Sequence, residues 1–289
     1  MIMNDQQFRQ LLHRYQFSWK GYRKVRKSVK KRVQRYMTAM GCHTIEDFLA
    51  ELDTNNEARD HCERLMTVSI SHFFRDRALW QGLKEQILPE FMTAGINKVR
   101  FWSAGCACGE EVYSFKIIWD WMSSSYFSVP DLEVLATDIN PVYLERASKG
   151  IYPPSSLKEA TKEICSKYFE QLGGQKLFEV TSSLKTGIQW ENRHLLSDPP
   201  DSDFDVIFLR NNVLTYYADP LKIKAFRNVL SRLKPWGILV LGSHERMPFE
   251  TRDLVNIEPY PYVFRSGFKT TSGKMRKIPL LEQNENGTG

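Results

Sequence analysis

From residue 98 onward the chain switches repeatedly between short apolar runs and longer amphipathic segments, a pattern few folds accept. The runs at 99–103, 132–137, 206–209 and 238–242 have strand length and are rich in branched and aromatic residues. Helical spacing follows at 110–122, 141–148 and 221–233. A strand apolar on both faces needs cover on both faces, which helical crossovers between parallel strands provide. The expected fold class is therefore α/β, with a doubly wound, Rossmann-like parallel sheet. Between the second and third of these strands, residues 177–190 alternate apolar and polar side chains around Ser182-Ser183, which predicts a small inserted β-hairpin.

The first 75 residues read differently. Residues 17–40 predict one long basic helix ending near Gly41. Thr44 is a natural cap for a second helix whose first turn holds Glu46 and Asp47, and 55–66 predicts a third. The expected organisation is a small all-α domain over 1–75 and a larger α/β domain over 76–268. A polar tail over 269–289 follows, too poor in apolar residues to order itself.

Composition narrows the function classes. No apolar run is long enough to span a bilayer and no apolar h-region opens the chain, so a cytoplasmic protein is expected, without membrane insertion. Five cysteines in that compartment predict free thiols. Cys106 and Cys108 form a C-x-C with no second pair at metal spacing, so no metal site is expected. The formal net charge is +6, and ten basic residues with no acidic one fall between Arg14 and Arg35. That block reads either as a solvated face or as a docking helix for an anionic partner.

The chemistry concentrates at strand ends. The first strand runs into Ser103-Ala104-Gly105-Cys106-Ala107-Cys108-Gly109-Glu110-Glu111, a turn of small residues that lets backbone approach a ligand. Its two glycines, four apart, lack the three-glycine dinucleotide fingerprint and suit a smaller nucleoside, or simply a tight turn. The second strand ends in Ala136-Thr137-Asp138, where a carboxylate can accept from a ribose diol or cap the following helix. Glu111 can hold an ammonium or complement the helix dipole. Together these three describe a site for a nucleoside carrying an amino-acid tail. Asp198-Pro199-Pro200-Asp201 lacks the aromatic fourth residue of amino-methylating motifs and precedes a strand, so it reads as a loop, and no nucleic-acid partner is expected.

Ser69-Ile70-Ser71-His72-Phe73-Phe74-Arg75-Asp76 resembles the T-x-F-F-R-D signature of the chemotaxis-receptor methyltransferase family, CheR. Further similarities follow in the family's order. They are F-W-S-A-G-C-A-C-G-E-E-V-Y-S from Phe101, A-T-D-I-N from Ala136, K-G-I-Y from Lys149, F-D-V-I-F-L-R-N-N-V-L-T-Y-Y from Phe204, and L-K-P-W-G-I-L-V-L-G-S-H-E ending at Glu245. The resemblance implies an S-adenosylmethionine-dependent transfer of a methyl group to glutamate carboxylates of an acidic protein, the cytoplasmic domain of a chemoreceptor, docked through the basic segment 14–35. It implies Arg75 and Tyr216 beside the methyl group, Glu111 at the methionine ammonium, and Asp138 at the ribose. Ser69, Ser71, Ala104 and Gly105 would line the cofactor, with His194 and Leu195 near adenine and Arg210, Asn211 and Asn212 covering the family's R-N pair. His194 stands where the family has Asn, and one extra residue lies between Arg210 and Val213. Alternatives are a CheR-like enzyme with another protein or small-molecule substrate, or a non-catalytic sensor of S-adenosylmethionine.

Overall fold

The computed structural model describes residues 3–69, 71–174 and 176–267, and every structural statement below concerns those residues. Five helices come first: α1 (Asp5–Arg14), α2 (Trp19–Tyr22), α3 (Arg26–Ala39), α4 (Ile45–Thr54) and α5 (Asn56–Met66). Thr44 accepts from the Asp47 amide and Asn55 from the Ala58 amide, so the polar residues ahead of α4 and α5 do cap them. The expected single helix over 17–40 is broken between Tyr22 and Arg26, so the basic segment 14–35 spans the end of α1, all of α2 and most of α3. At the break the Val25 and Ser28 amides donate three residues back, to Tyr22 and Val25, which makes a tight turn, and docking keeps the residues ahead of α2 out of the helix. Phe17 forms an isolated bridge with Tyr217, and the Ser18 amide donates to the Tyr216 carbonyl at 2.7 Å, which holds that stretch extended. Helix α1 was not anticipated, although Asn4 and Gln7 form a reciprocal capping box.

Helix α6 (Arg77–Gly82), one π turn (Leu83–Ile87) and α7 (Pro89–Thr93) lead into β1 (Lys98–Ala104). Then come α8 (Glu110–Ser123), β2 (Asp131–Asp138), α9 (Pro141–Lys149), β3 (Ile151–Tyr152), α10 (Lys162–Tyr168), β4 (Phe169–Gln171), β5 (Phe178–Val180), α11 (Ser182–Lys185) and β6 (Ile188–Asn192). The chain continues through β7 (Phe204–Leu209), α12 (Val213–Tyr216), α13 (Asp219–Leu230), β8 (Leu233–Leu241), β9 (Leu254–Ile257) and β10 (Tyr260–Ser266). The main sheet has the order β6-β2-β1-β7-β8-β10-β9. Its first five strands are parallel, and β10 and β9 close the edge antiparallel.

The apolar runs alternate between two cores. Phe101, Val206, Phe208, Ile238 and Val240 enter one buried cluster, while Trp102, Ile207, Leu209, Leu239 and Leu241 enter the other. Successive side chains of a strand face opposite ways, so both faces are covered and the sheet is doubly wound. A third cluster, built on Phe8, Leu11, Val29, Val33 and Phe48, fills the helical region, and Tyr216 and Tyr217 pack against it.

The inserted β element differs from its expected form. A separate antiparallel sheet exists, but its strands are β3, β5 and β4 in that order, so only Phe178–Val180 of the predicted 177–190 hairpin belongs to it. Ile188–Asn192 instead runs parallel beside β2 as the edge of the main sheet. A half-buried edge strand alternates like a hairpin arm, so alternation alone does not separate the two. The tail 269–289 lies outside the described residues.

Candidate active site

The strand order reverses at β1, with β2 on one side and β7 on the other, and ligands of open α/β sheets bind at the carboxyl ends beside that reversal. A cleft open to solvent, about 1050 Å³ in all, lies there. Its floor follows the strand ends: His194 and Leu195 after β6, Asp138 at β2, Gly105 after β1, then Arg210, Asn211 and Asn212 after β7. Ser69, Ser71, Arg75, Glu111 and Tyr216 complete the predicted residues that line it. Ala104 lies just below, its carbonyl accepting from Asn212 Nδ2 at 2.5 Å. Gly105, at φ 84°, passes so close to Asn212 that a Cβ would come within 2.2 Å of Nδ2. Only glycine fits there.

At the β7 end, Arg210 is almost fully buried, with its side chain 3% exposed. One guanidinium nitrogen donates to Glu111 Oε2 at 2.8 Å, another to Asp76 Oδ2 at 2.7 Å. Ser103 Oγ donates to the other Glu111 oxygen at 3.0 Å. A buried cation between two carboxylates thus fixes Glu111 at the cleft wall. Arg210 Nε has no partner among the described residues. The extra residue, Asn211, adopts a left-handed conformation at φ 55°, and its amide donates to Glu245 Oε2 at 2.7 Å. Asn212 caps α12.

Arg75 sits between two residues with positive φ, Phe74 at 54° and Asp76 at 65°. Left-handed backbone at a bulky Phe is strained and persists only when neighbours hold it. Here the Phe74 amide donates to Ser114 Oγ at 3.0 Å, and the Arg75 carbonyl accepts from Trp80 Nε1 at 2.8 Å and Arg210 at 3.3 Å. The backbone is clamped while the Arg75 side chain lines the cleft. Across from it, Tyr216 ends α12 and rests on Tyr22 with ring centroids 5.0 Å apart. Burial raises the Tyr216 hydroxyl above its ordinary pKa, and the nearby Arg75 guanidinium opposes part of that rise. The phenol therefore stays protonated at neutral pH and donates.

In the middle, Asp138 accepts from the Ala107 amide at 2.9 Å and the Asn140 amide at 2.8 Å. Burial pushes its carboxyl up to about 6, with those amides pulling the other way. At the β6 end, His194 Nδ1 accepts from the Leu196 amide at 3.1 Å, and Nε2 faces Glu63 Oε1 at 3.4 Å. Sequence reasoning did not select Glu63, Ile139, Tyr143 or Tyr217, all of which line the cleft. Ile139 directly follows Asp138, a signal that was available. Glu63 and Tyr217 carry none, because they meet the cleft only through the docking of α5 and α12. Among the described residues no group of three or more His, Cys, Asp or Glu side chains could hold a metal ion, and no helix is long and apolar enough to cross a membrane.

The site fits a nucleoside with an amino-acid end. A buried acidic acceptor stands at β2, a glycine turn at β1 and a fixed charged pair at β7, at the strand ends where open α/β sheets bind nucleoside ligands. Residues 69–263 match the family model described as CheR methyltransferase, SAM binding domain. The chain belongs to the CheR methyltransferase family, and its cofactor is S-adenosylmethionine. It is 28% identical over 219 residues to a chemotaxis protein methyltransferase of Listeria monocytogenes, covering 76% of this chain and 81% of that one. Similarity to chemotaxis protein methyltransferase 1 of Pseudomonas aeruginosa is 26% identity over 225 residues, covering 76% and 81% of the two chains.

Proposed function

We propose that this protein methylates glutamate carboxylates on the cytoplasmic domain of a chemoreceptor, forming methyl esters. The observation that carries this reading is the pair of hydrogen-bond donors, Arg75 and Tyr216, lining the strand-end cleft. A glutamate side chain, with an ordinary pKa near 4.3, is already ionised at neutral pH and needs no base. Its requirements are orientation and exclusion of water. A guanidinium grips one carboxylate by two hydrogen bonds, and a phenol adds a third.

S-adenosylmethionine supplies an electrophilic methyl group on a sulfonium. Asp138 would accept from its ribose hydroxyls, Glu111 would take its ammonium, and the cation Arg210 would balance Glu111 while facing the carboxylate end. Arg75 and Tyr216 would then hold the acceptor oxygen in line, with Phe17 and Tyr22 of the helical region closing the cleft to water. The acidic substrate would dock on the basic segment 14–35. Arg23, Lys24, Lys27, Lys31 and Arg35 are exposed, none of them makes an ion pair among the described residues, and the stripe begins directly after Tyr22 at the cleft. This docking, the cytoplasmic location and the boundaries 1–75 and 76–268 are parts of the same proposal.

The test is transfer of tritiated methyl from S-adenosylmethionine to membranes bearing chemoreceptors. Receptor bands should take up label released by mild alkali as methanol, and Arg75→Ala should lower turnover about a hundredfold or more, as losing a donor aimed at the reacting group does. Asp138→Ala should raise the cofactor dissociation constant. Cofactor binding with no alkali-labile label on receptors would remove the receptor from this reading and favour another substrate or a sensing role.

A further inference from the structure

The base end of the cleft holds an acceptor that the methyl-transfer reading leaves unused. We infer that Glu63, contributed by helix α5, selects adenine by accepting a hydrogen bond from its 6-amino group; this rests on the assignment of the cleft to S-adenosylmethionine.

The order of the strand ends orients the ligand. Glu111 and Arg210 fix the amino-acid end between β1 and β7, and Asp138 fixes the ribose at β2. The base must then lie over the edge strand β6, where His194 and Leu195 follow the strand. Adenine presents a 6-amino donor, so the compartment needs an acceptor. His194 is not one. Its Nδ1 already takes the Leu196 amide, which leaves the proton on Nε2, facing Glu63. Arg193 is a donor bound to Glu191 and Asp198, and the Tyr143 hydroxyl gives its proton to the Thr67 carbonyl at 3.3 Å, which leaves it only as a neutral acceptor.

Glu63 remains. His194 Nε2 and the Tyr217 hydroxyl both lie 3.4 Å from its Oε1, and among the described residues no donor lies on Oε2. Its side chain is only 18% exposed, so water satisfies it poorly. Two donors from the sheet domain thus orient a carboxylate from the helical region, one oxygen of which is left for the ligand. A carboxylate accepts from an amino group and repels the carbonyl oxygen of a 6-oxo base, so the site discriminates by both attraction and repulsion.

The experiment compares S-adenosyl-L-homocysteine with S-inosyl-L-homocysteine, which differ at that group, by calorimetric titration of the full chain. Wild type should bind the adenine form at least about tenfold more tightly, the scale set by one buried unpaired polar contact. Glu63→Gln, whose amide can donate to a 6-oxo group, should bring the ratio close to one while keeping a cooperative thermal melt. Equal binding of both ligands by wild type would overturn the inference, as would a ratio unchanged in Glu63→Gln, since a residue that only props His194 and Tyr217 would weaken both ligands alike. Wild type that binds neither ligand would instead overturn the cofactor assignment, and the inference with it. Should Glu63→Gln fail to fold, Glu63→Ala is read by the same ratio, and a preference for the adenine form that survives in it overturns the inference.

Discussion

The two ends of the cleft are built on different principles. At the β7 end the charged contacts come from the sheet domain and its entry segment: Arg210 clamps Glu111 and Asp76, and Asn212 seizes the Ala104 carbonyl. At the β6 end the walls come from two bodies, with Glu63 and Thr67 of the helical region meeting His194, Tyr143 and Asn140 across a seam. Contacts there are longer, 3.1–3.4 Å, and are shared between neutral or singly charged groups. One end is a preformed charged socket, and the other is completed by docking.

If that contrast is right, damage to the socket should be global. Arg210→Ala leaves Glu111 and Asp76, both part-buried, facing an empty space, and breaking an ion network centred on a buried cation costs up to about 3–5 kcal/mol. We expect a large loss in chemical denaturation together with loss of cofactor binding. A melt within about 1 kcal/mol of wild type would show that the socket is less buried in solution than its geometry indicates.

The middle of the cleft should respond to pH. Asp138 ionises near 6 in the folded protein against its ordinary value of 3.8. Because the folded pKa is raised, its contribution to stability is fully present below about pH 4 and lost as pH rises through 6, an interval worth about 3 kcal/mol in the cofactor-free protein. Cofactor binding runs the other way, since ribose hydroxyls need an acceptor. Affinity for S-adenosylhomocysteine should be flat above pH 6 and fall about tenfold for each pH unit below it. Calorimetric titration from pH 8 to pH 5 checks this, and Asp138→Ala should flatten the profile.

The same division explains what the sequence reveals. Residues carried by the sheet are legible because strand ends are fixed by local pattern: Gly105, Asp138 and Arg210 each follow an apolar run whose length sets where its side chains emerge. Arg75 is legible only through the motif around it, because its position depends on the strained turn at Phe74 and Asp76. Glu63 is not legible at all. It lies on a charged helix between buried Cys62 and Met66, and nothing local tells it apart from the solvent-facing charges beside it. Strand β6 was misread for a related reason, since its partner, β2, lies about 50 residues earlier in the chain.

The seam should fail locally rather than globally. Gly21 packs so closely on α12 that a Cβ would lie 2.1 Å from the Thr215 carbonyl oxygen, a backbone atom with little room to give. Overpacking of this kind costs about 1–3 kcal/mol. Gly21→Ala should therefore raise hydrogen exchange in α1–α3 and weaken cofactor binding, while β1, β7 and β8 keep wild-type protection. Exchange rising equally throughout the sheet would erase the distinction between socket and seam.

The smallest effect is expected where the two constructions meet, at Glu245. Its Oε2 accepts from the Asn211 and Gly242 amides at 2.7 and 2.9 Å, and its Oε1 accepts from Thr215 Oγ at 2.6 Å, so it ties the loop carrying Tyr216 to the end of β8. Burial raises its carboxyl above its ordinary value, with the Thr215 hydroxyl and the two amides pulling the other way. Glutamine can turn its carbonyl oxygen toward the two amides and its NH₂ toward the Thr215 hydroxyl, which can accept as well as donate. Glu245→Gln should then stay within about 1 kcal/mol of wild type, whereas Glu245→Ala, which strands two amides, should lose about 1–3 kcal/mol and slow methyl transfer by displacing Tyr216. A Gln variant as damaged as the Ala variant would mean that the negative charge itself matters, and the loop would then belong to the electrostatic socket rather than to the seam.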